Sequence, residues 1–238
     1  MRKLIMAILL IIFALSGGMI ISNVVLEHEM AATSVQARQI VQEMFYESEE
    51  TADVINFDEM RAAFGNADIL AHLLIEGTTI DYLVVQAPNN DFYLHHDIWR
   101  NASNAGWIFF DYDVDLSQTD QNWVIYGHNM QRDHKFHSLR RFADYNFLQE
   151  HPIITLTTEQ GTSYWEIFSF YSTNISFGYN IVNFENTATK QHFLESFVDL
   201  SWHNTNVNVT AADKILTLST CTNFDQDDRY VIHARLKN

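Results

Sequence analysis

The chain of 238 residues contains a single cysteine, Cys221, and only two prolines. One thiol excludes an internal disulfide framework and any Cys-x-x-Cys metal or redox site. Basic residues are also scarce, with 14 against 30 acidic residues and a formal net charge of −16. Because a phosphate backbone is bound through clustered lysine and arginine, nucleic acid is not expected as a partner.

Hydrophobic residues are abundant by contrast. They make up 47% of the chain, and aromatic residues make up 13%, which excludes a disordered or fibrous protein and permits a sizeable core. The length suits one domain or two small ones. Without an internal repeat or a low-complexity linker, residues 66–238 are predicted to form a single domain.

An uncharged apolar run extends from Leu4 to Leu26, directly after Arg2 and Lys3. As a helix it would be roughly 34 Å long, enough to cross a hydrocarbon core of about 30 Å. A cleaved signal peptide is the alternative, but its apolar region is usually only about 7–15 residues long. Residues 1–26 are therefore predicted to be a membrane anchor. The two basic residues predict a cytoplasmic N-terminus and a single-pass protein of the cell membrane, with the remaining residues extracellular.

Residues 27–65 are predicted to form a helical region. The stretch from Glu27 to Glu50 has no glycine or proline. Asn56 is a favourable N-cap for a second, short helix, which Gly65 could end.

From residue 80 onward, β-branched and aromatic runs alternate with polar turns, which is typical of a β-barrel or sandwich. The runs are IDYLVV, GWIFFDYDV, NWVIYGH, IITLTT, SYWEIFSFYS, KILTLSTC and YVIHARL. Two interruptions, Asp133–Gln149 and Asn186–Leu200, have apolar residues at helical spacing. The sequence therefore predicts a mainly β domain with a few helices.

The candidate chemistry lies near the C-terminus. In KILTLSTC, strand alternation places Ser219 and Cys221 on one face. Arg229 lies in the next run, after a seven-residue connection, so Cys221 and Arg229 could flank the mouth of one hairpin. His128 ends the run NWVIYGH.

Cysteine, histidine and arginine together suit acyl transfer. A nucleophilic thiol needs a base or cation that favours the thiolate, and imidazole can also protonate a leaving amine. A guanidinium stabilises the negative charge that develops on a carbonyl oxygen. On spacing alone the signal is weak, and the alternatives are a buried, inert Cys221, a turn histidine at His128 and a solvated charge at Arg229.

These motifs resemble those of a sortase: LSTC ends a strand, Arg229 follows eight residues later, and YGHN lies about ninety residues upstream. The apolar N-terminus, the helices before the barrel and the helical Asn186–Leu200 segment resemble the class B branch. So do NNDFYL at Asn89–Leu94 and VNVT at Val207–Thr210. The resemblance implies a closed antiparallel eight-stranded β-barrel with N-terminal helices and a helical insertion before the penultimate strand.

The resemblance also implies a membrane-anchored cysteine transpeptidase, with Cys221 as nucleophile, His128 as general acid and Arg229 as the group that positions substrate and stabilises the oxyanion. Its partners would be surface proteins with a C-terminal sorting signal and an amino group of a peptidoglycan precursor. It requires no cofactor and no metal. The candidate substrate-binding residues are Asn90, Leu94, Tyr179, Ser219 and Thr220.

Two other functions use the same residues. A cysteine hydrolase or protease would transfer the acyl group to water through the same Cys–His pair. A non-catalytic surface adhesin on a β-barrel would keep the thiol buried and unreactive. One further feature, the basic cluster Arg132, Lys135, Arg140 and Arg141, is predicted to be an exposed helix face.

Overall fold

The fold is a β-barrel with short helices around it. The computed structural model describes residues 6, 9, 12, 13, 15–18, 32–44, 56–118, 120–130, 134–221 and 227–237, with only the backbone of Cys221. The strands are β1 (Ile69–Leu74), β2 (Asp81–Val85), β3 (Phe109–Phe110), β4 (Asn122–Tyr126), β5 (Ile153–Thr158), β6 (Gly161–Asn174), β7 (Ile215–Cys221) and β8 (Asp228–Leu236). The α-helices are α1 (residues 32–44), α2 (Phe57–Phe64), α3 (Tyr145–Glu150) and α4 (Thr187–Leu200). The 3₁₀ helices are Phe92–Leu94, His137–Ala143 and Ile175–Phe177.

The strands close in the order β1-β2-β3-β4-β7-β8-β6-β5, which confirms the predicted eight-stranded barrel. Most neighbouring strands are antiparallel, but the pairs β2–β3 and β4–β7 are parallel. Parallel neighbours require a crossover connection. The connection from β4 to β7 contains β5, β6 and α4, so it brings together strands that are distant in sequence.

The helix boundaries follow the capping signals in the sequence. The side chain of Asn56 accepts hydrogen bonds from the backbone N–H groups of Asp58 and Glu59, both at 3.2 Å, and Gly65 ends α2 with a left-handed φ of 60°. Asn186 caps α4 by accepting from the N–H of Thr189 at 2.9 Å. Both predicted helices are therefore confirmed.

The C-terminal hairpin separates two apolar clusters. Leu216 and Leu218 of β7 pack in the main barrel core together with Ile232 of β8. Ile215 and Val231 face the other way, into a second cluster. That cluster also contains Phe168, Tyr171, Tyr179, Leu194, Phe197 and Val209. The opposite face of the hairpin is thus covered by α4 and the segments on either side of it.

The predicted membrane anchor and localisation require correction. Among the residues that the structure describes, no helix is long and apolar enough to cross a membrane. Most of residues 1–26 lie outside the described residues. The absence of such a helix among the described residues contradicts the predicted single-pass localisation with an extracellular catalytic domain.

Candidate active site

The parallel pairing of β4 with β7 brings His128 towards Cys221. The register pairs Asn122 with Ile215 and Tyr126 with Ser219, a constant offset of 93 residues. The ladder continues beyond β4, because the N–H of Gly127 donates to the carbonyl of Ser219 at 3.1 Å. Continued at the same offset beyond the end of β4, the register would place residue 128 beside residue 221, one inter-strand spacing of about 4.8 Å away.

Arg229 lies on the other side of Cys221. In the antiparallel β7–β8 ladder the register pairs the two residues directly. Directly opposed residues project their side chains to the same face of an antiparallel sheet, with Cβ atoms about 4.5–5.5 Å apart. The half-buried Arg229 guanidinium donates from Nη1 to the carbonyl of Asp228 at 2.9 Å. Arg229 is therefore paired with Cys221 across one strand boundary, and His128 follows two residues after the end of β4 at the other.

The imidazole of His128 is held by a backbone carbonyl. Its Nε2 lies 2.9 Å from the oxygen of Leu94, and a carbonyl can only accept, so Nε2 carries the proton. In this tautomer Nδ1 is the atom that gains or loses a proton. Burial lowers the pKa of His128, the hydrogen bond to Leu94 opposes that shift, and the positive charges of Lys135, His95 and Arg229 lower the pKa further.

Lys135 lies inside the protein and not on an exposed helix face. Its side chain is fully buried, and Nζ lies 3.3 Å from the centre of the Trp107 ring. Burial lowers the pKa of Lys135 well below its ordinary value, although the charge of Asp97 opposes this shift. The basic cluster is therefore divided, since Arg140 and Arg141 are exposed and Arg132 lies outside the described residues.

The predicted substrate-binding residues have different surroundings. Ser219 and Tyr179 are buried and joined by a hydroxyl–hydroxyl hydrogen bond of 2.8 Å, on the face of β7 that also carries Cys221. Leu94 is half-buried and supplies the carbonyl that holds His128. Thr220 lies on the opposite face of β7, buried, with no hydrogen-bond partner for Oγ1 among the described residues.

The fifth predicted residue, Asn90, has both ends of its amide engaged within the protein. Nδ2 donates to Oδ2 of Asp111 at 2.9 Å, and Oδ1 accepts from the N–H of Tyr112 at 2.9 Å. The prediction that these five residues bind substrate stays a prediction. What the structure adds is that Leu94 is hydrogen-bonded to His128, and that Tyr179 is hydrogen-bonded to Ser219, two residues before Cys221.

Sequence reasoning missed three residues that support this region. Asp111 and Tyr126 join the loop of Asn90 to β4, and Gly106 packs directly against the histidine ring. Tyr126 had a signal, because it precedes His128 by two residues and so shares its strand face. The other two follow no local pattern, since their contacts are made by segments that are distant along the chain.

Gly106 leaves no space for a side chain. A Cβ atom there would lie 2.4 Å from the carbonyl oxygen of Tyr93, 2.8 Å from that of Leu94 and 2.9 Å from Cδ2 of His128. The residue also has a φ of +52°, which side chains rarely adopt. Gly106 therefore allows the close approach of the imidazole to the carbonyl that orients it.

The Gly106→Ala variant is expected to break the hydrogen bond from Nε2 of His128 to Leu94. Because that bond raises the pKa of His128, its loss will lower this pKa further. A pH titration of the imidazole by NMR measures the change, and the ¹⁵N shifts report whether Nε2 still holds the proton in the neutral form.

Gly65→Ala is the matched control, because Gly65 has a similar φ of +60° but open space where the methyl group of an alanine would lie. Both substitutions carry the cost of a left-handed backbone, about 1–2 kcal/mol, and only Gly106→Ala adds the clash. If His128 had the same pKa in Gly106→Ala and in Gly65→Ala, the role assigned to Gly106 would be contradicted.

Metal ligation has no basis in the part of the chain that the structure describes. It contains no group of three or more His, Cys, Asp or Glu residues that could hold a metal ion. The histidines near the site have other contacts: the ring of His96 stacks on Phe92, and His137 is hydrogen-bonded to Asn129 at 2.6 Å.

Comparisons with known proteins all point to the same family. Residues 73–237 match the model of the Sortase domain family. The chain is 38% identical to Sortase B of Listeria monocytogenes over 175 residues, which cover 72% of this chain and 70% of that protein. It is 34% identical to Sortase B of Staphylococcus aureus, over 66% of this chain and 64% of that protein.

Solved structures give the same result. A Staphylococcus aureus sortase B–substrate complex superposes with a TM-score of 0.80 at 29% identity, covering 89% of this chain and 97% of that one. The Clostridium perfringens sortase B has a TM-score of 0.71 at 32% identity, covering 76% of this chain and 100% of that one. Both the fold and the sequence lead to one conclusion: the chain belongs to the sortase B family and is a cysteine transpeptidase.

Proposed function

We propose that the enzyme cleaves the C-terminal sorting signal of surface proteins after a threonine, and joins the new carboxyl end to an amino group of a peptidoglycan precursor. Cys221 is the nucleophile, His128 the general acid and base, and Arg229 the residue that orients the carbonyl and stabilises the oxyanion. The observation that supports the proposal is the strand register, which pairs position 221 with position 229 and, continued two residues beyond β4, would put position 128 on the other flank of position 221.

The reaction proceeds in two acyl transfers. The Cys221 thiolate attacks the carbonyl carbon of the threonine, and the oxygen takes the electron pair beside the Arg229 guanidinium. When the C–N bond breaks, protonated His128 gives its Nδ1 proton to the leaving amine, and a thioester remains. An acceptor amine then attacks the thioester, His128 takes the proton of that amine, and the thiolate leaves.

The lowered pKa of His128 suits this role. At neutral pH the imidazolium is the minor form, so the thiolate–imidazolium pair is a minority of the enzyme. In that minority form, His128 is a good general acid, because an imidazolium with a lower pKa gives its proton to the leaving amine more readily. The positive charge of Arg229 lowers the pKa of His128. The same charge favours the thiolate form of Cys221.

Relatives support the substrate and acceptor classes. One Staphylococcus aureus sortase B structure is a substrate complex, and another solved sortase B is complexed with triglycine. A short glycine peptide is an amine nucleophile, so triglycine serves as the acceptor probe. Family membership also argues against the non-catalytic adhesin.

The test is capture of the acyl-enzyme. The full chain is mixed with peptides that contain threonine before the scissile bond and differ in the preceding residues, and intact mass is recorded with and without triglycine. We expect an acyl adduct on Cys221 that hydroxylamine removes, and a ligated product when triglycine is present.

The Cys221→Ala variant is the control and should carry no adduct. Cleavage by the variant at the rate of the unmodified enzyme would overturn the proposal. An adduct that goes only to water, with no ligated product at any triglycine concentration, would instead identify a cysteine hydrolase.

A further inference from the structure

The carboxylate of Asp111 lies directly after β3 and is buried, with 5% of the residue exposed. Its Oδ2 accepts two hydrogen bonds of 2.9 Å, from Nδ2 of Asn90 and from Oη of Tyr126. Its Oδ1 accepts from the N–H of Asp113 at 3.0 Å. Hydrogen bonds to a charged group are stronger than those between neutral groups.

The hydrogen bonds continue from Asp111 to a second segment. The Tyr126 hydroxyl, which donates to Asp111, accepts from Nδ2 of Asn180 at 2.8 Å. In the other direction, Asn90 accepts from the N–H of Tyr112. One carboxylate therefore connects the loop around Asn90 with the loop around Asn180, and the tyrosine of β4 lies between them.

Both loops carry residues of the active site. The loop of Asn90 continues into Leu94, whose carbonyl orients His128. The loop of Asn180 contains Tyr179, whose hydroxyl bonds to Ser219 two residues before Cys221. Because Asp111 is bonded to the two loops through different partners, its position sets the distance between them.

We propose that Asp111 is a positioning residue that holds these two loops as opposite walls of the peptide-binding groove. This inference rests on the proposed function, since it assigns the groove to the sorting-signal peptide. Among the described residues, no hydrogen bond or ion pair joins Asp111 to the imidazole of His128. The loss of Asp111 is therefore expected to weaken peptide binding more than it slows the chemical steps.

Three variants of the full chain test the proposal: Asp111→Asn, Tyr126→Phe and the double variant. The first keeps the size of the side chain and removes its charge, and the second removes the hydroxyl that joins Asp111 to Asn180. We expect each single variant to raise KM for the sorting-signal peptide about 10-fold, the effect of losing roughly 1.4 kcal/mol of binding free energy, with a much smaller change in kcat. The double variant should raise KM no more than either single variant, because both break one connection.

Tyr164→Phe is the matched control, since Tyr164 is exposed and its substitution should leave KM unchanged.

A second readout, backbone amide hydrogen exchange, requires no turnover. In both single variants exchange should become faster in residues 88–94 and in residues 178–182. In Tyr164→Phe it should stay unchanged in both segments. A fall in kcat at constant KM, additive effects in the double variant, or unchanged exchange in either loop would overturn the proposal. Failure of the unmodified enzyme to turn over any peptide would overturn the proposed function instead, and the exchange result would still decide the role of Asp111 as the link between the loops.

Discussion

Replacing His128 or Cys221 by alanine is expected to lower kcat/KM for the sorting-signal peptide by about 10⁴-fold, and replacing both together is expected to cost no more. A thiol without its imidazole has no acid for the leaving amine. An imidazole without the thiol has no acyl group to release. The two residues therefore act as one unit, and their losses are not additive.

This expectation follows from the strand register. The offset of 93 residues in the parallel β4–β7 pair is also the separation of His128 and Cys221 in the sequence. If the two side chains acted independently, the double variant would be slower than the unmodified enzyme by the product of the two losses. Steady-state kinetics on the two single variants and the double variant distinguishes the cases.

His95→Ala supplies the control. His95 neighbours Leu94 and is well exposed, and its charge effect at His128 ranks after burial and the Leu94 hydrogen bond, so its loss should change kcat/KM by less than about twofold. An active His128→Ala variant would remove this histidine from the mechanism. A double variant far slower than both single variants would show that the residues do not act together.

The C-terminal hairpin could be assigned from the sequence because alternation is a local property. Leu216, Leu218 and Ile232 enter the main core, and Ile215 and Val231 face the second cluster, as a period of two predicts. The same holds for the pairing of Cys221 with Arg229. A short antiparallel connection allows few registers, so these contacts follow from nearby residues.

Other parts of the fold depend on distant pairing. The strand β1 is hydrogen-bonded on both sides, to β2 and β5, and Ala71 and Leu73 are completely buried. Its sequence, ILAHLL, lacks the alternation that indicates a strand and contains one β-branched residue, Ile69. The parallel β4–β7 pair is a crossover across almost ninety residues, which no local signal specifies.

Lys135 and Asp111 illustrate the same limit for charged residues. A basic residue in a basic cluster is normally solvated, yet Lys135 is buried against Trp107 by a backbone turn with a φ of +56°. Asp111 ends an aromatic run whose local pattern gives no partner for a carboxylate. Its partners Asn90 and Tyr126 come from two other segments, so only the folded barrel reveals its role.

Acidification is expected to destabilise the fold through His233. This residue of β8 is completely buried, and its ring stacks on Phe197 with centroids 3.8 Å apart. Nε2 lies 2.8 Å from the Tyr171 hydroxyl, and Nδ1 lies 2.8 Å from Oγ1 of Thr217. Since Thr217 donates to Oδ1 of Asn122 at 2.7 Å, it must accept from Nδ1–H, and the tyrosine must donate to Nε2.

An imidazolium cannot keep this arrangement, because Nε2 would become a second donor facing a hydroxyl that already donates to it. Burial lowers the pKa of His233 to about 3, whereas an unfolded histidine titrates near 6.5. Above pH 6.5 the residue is neutral in both states and makes no difference. Between pH 6.5 and 3 the unfolded state binds a proton that the folded state does not. The free energy of unfolding therefore falls by about 1.4 kcal/mol per pH unit as the pH is lowered.

The measurement is urea unfolding at pH 7.5 and pH 4.5, for the unmodified protein and for His233→Gln. At pH 4.5 the histidine alone is expected to have removed about 3 kcal/mol, whereas glutamine does not titrate. If the glutamine amide fits the network less well, His233→Gln is less stable than the unmodified protein at pH 7.5. The loss of unfolding free energy between pH 7.5 and pH 4.5 should still be about 3 kcal/mol smaller in His233→Gln than in the unmodified protein. His192→Gln, at an exposed position on α4, is the control and should retain the full pH dependence. Equal losses on acidification in the unmodified protein and in His233→Gln would show that this histidine does not set the acid limit of the fold.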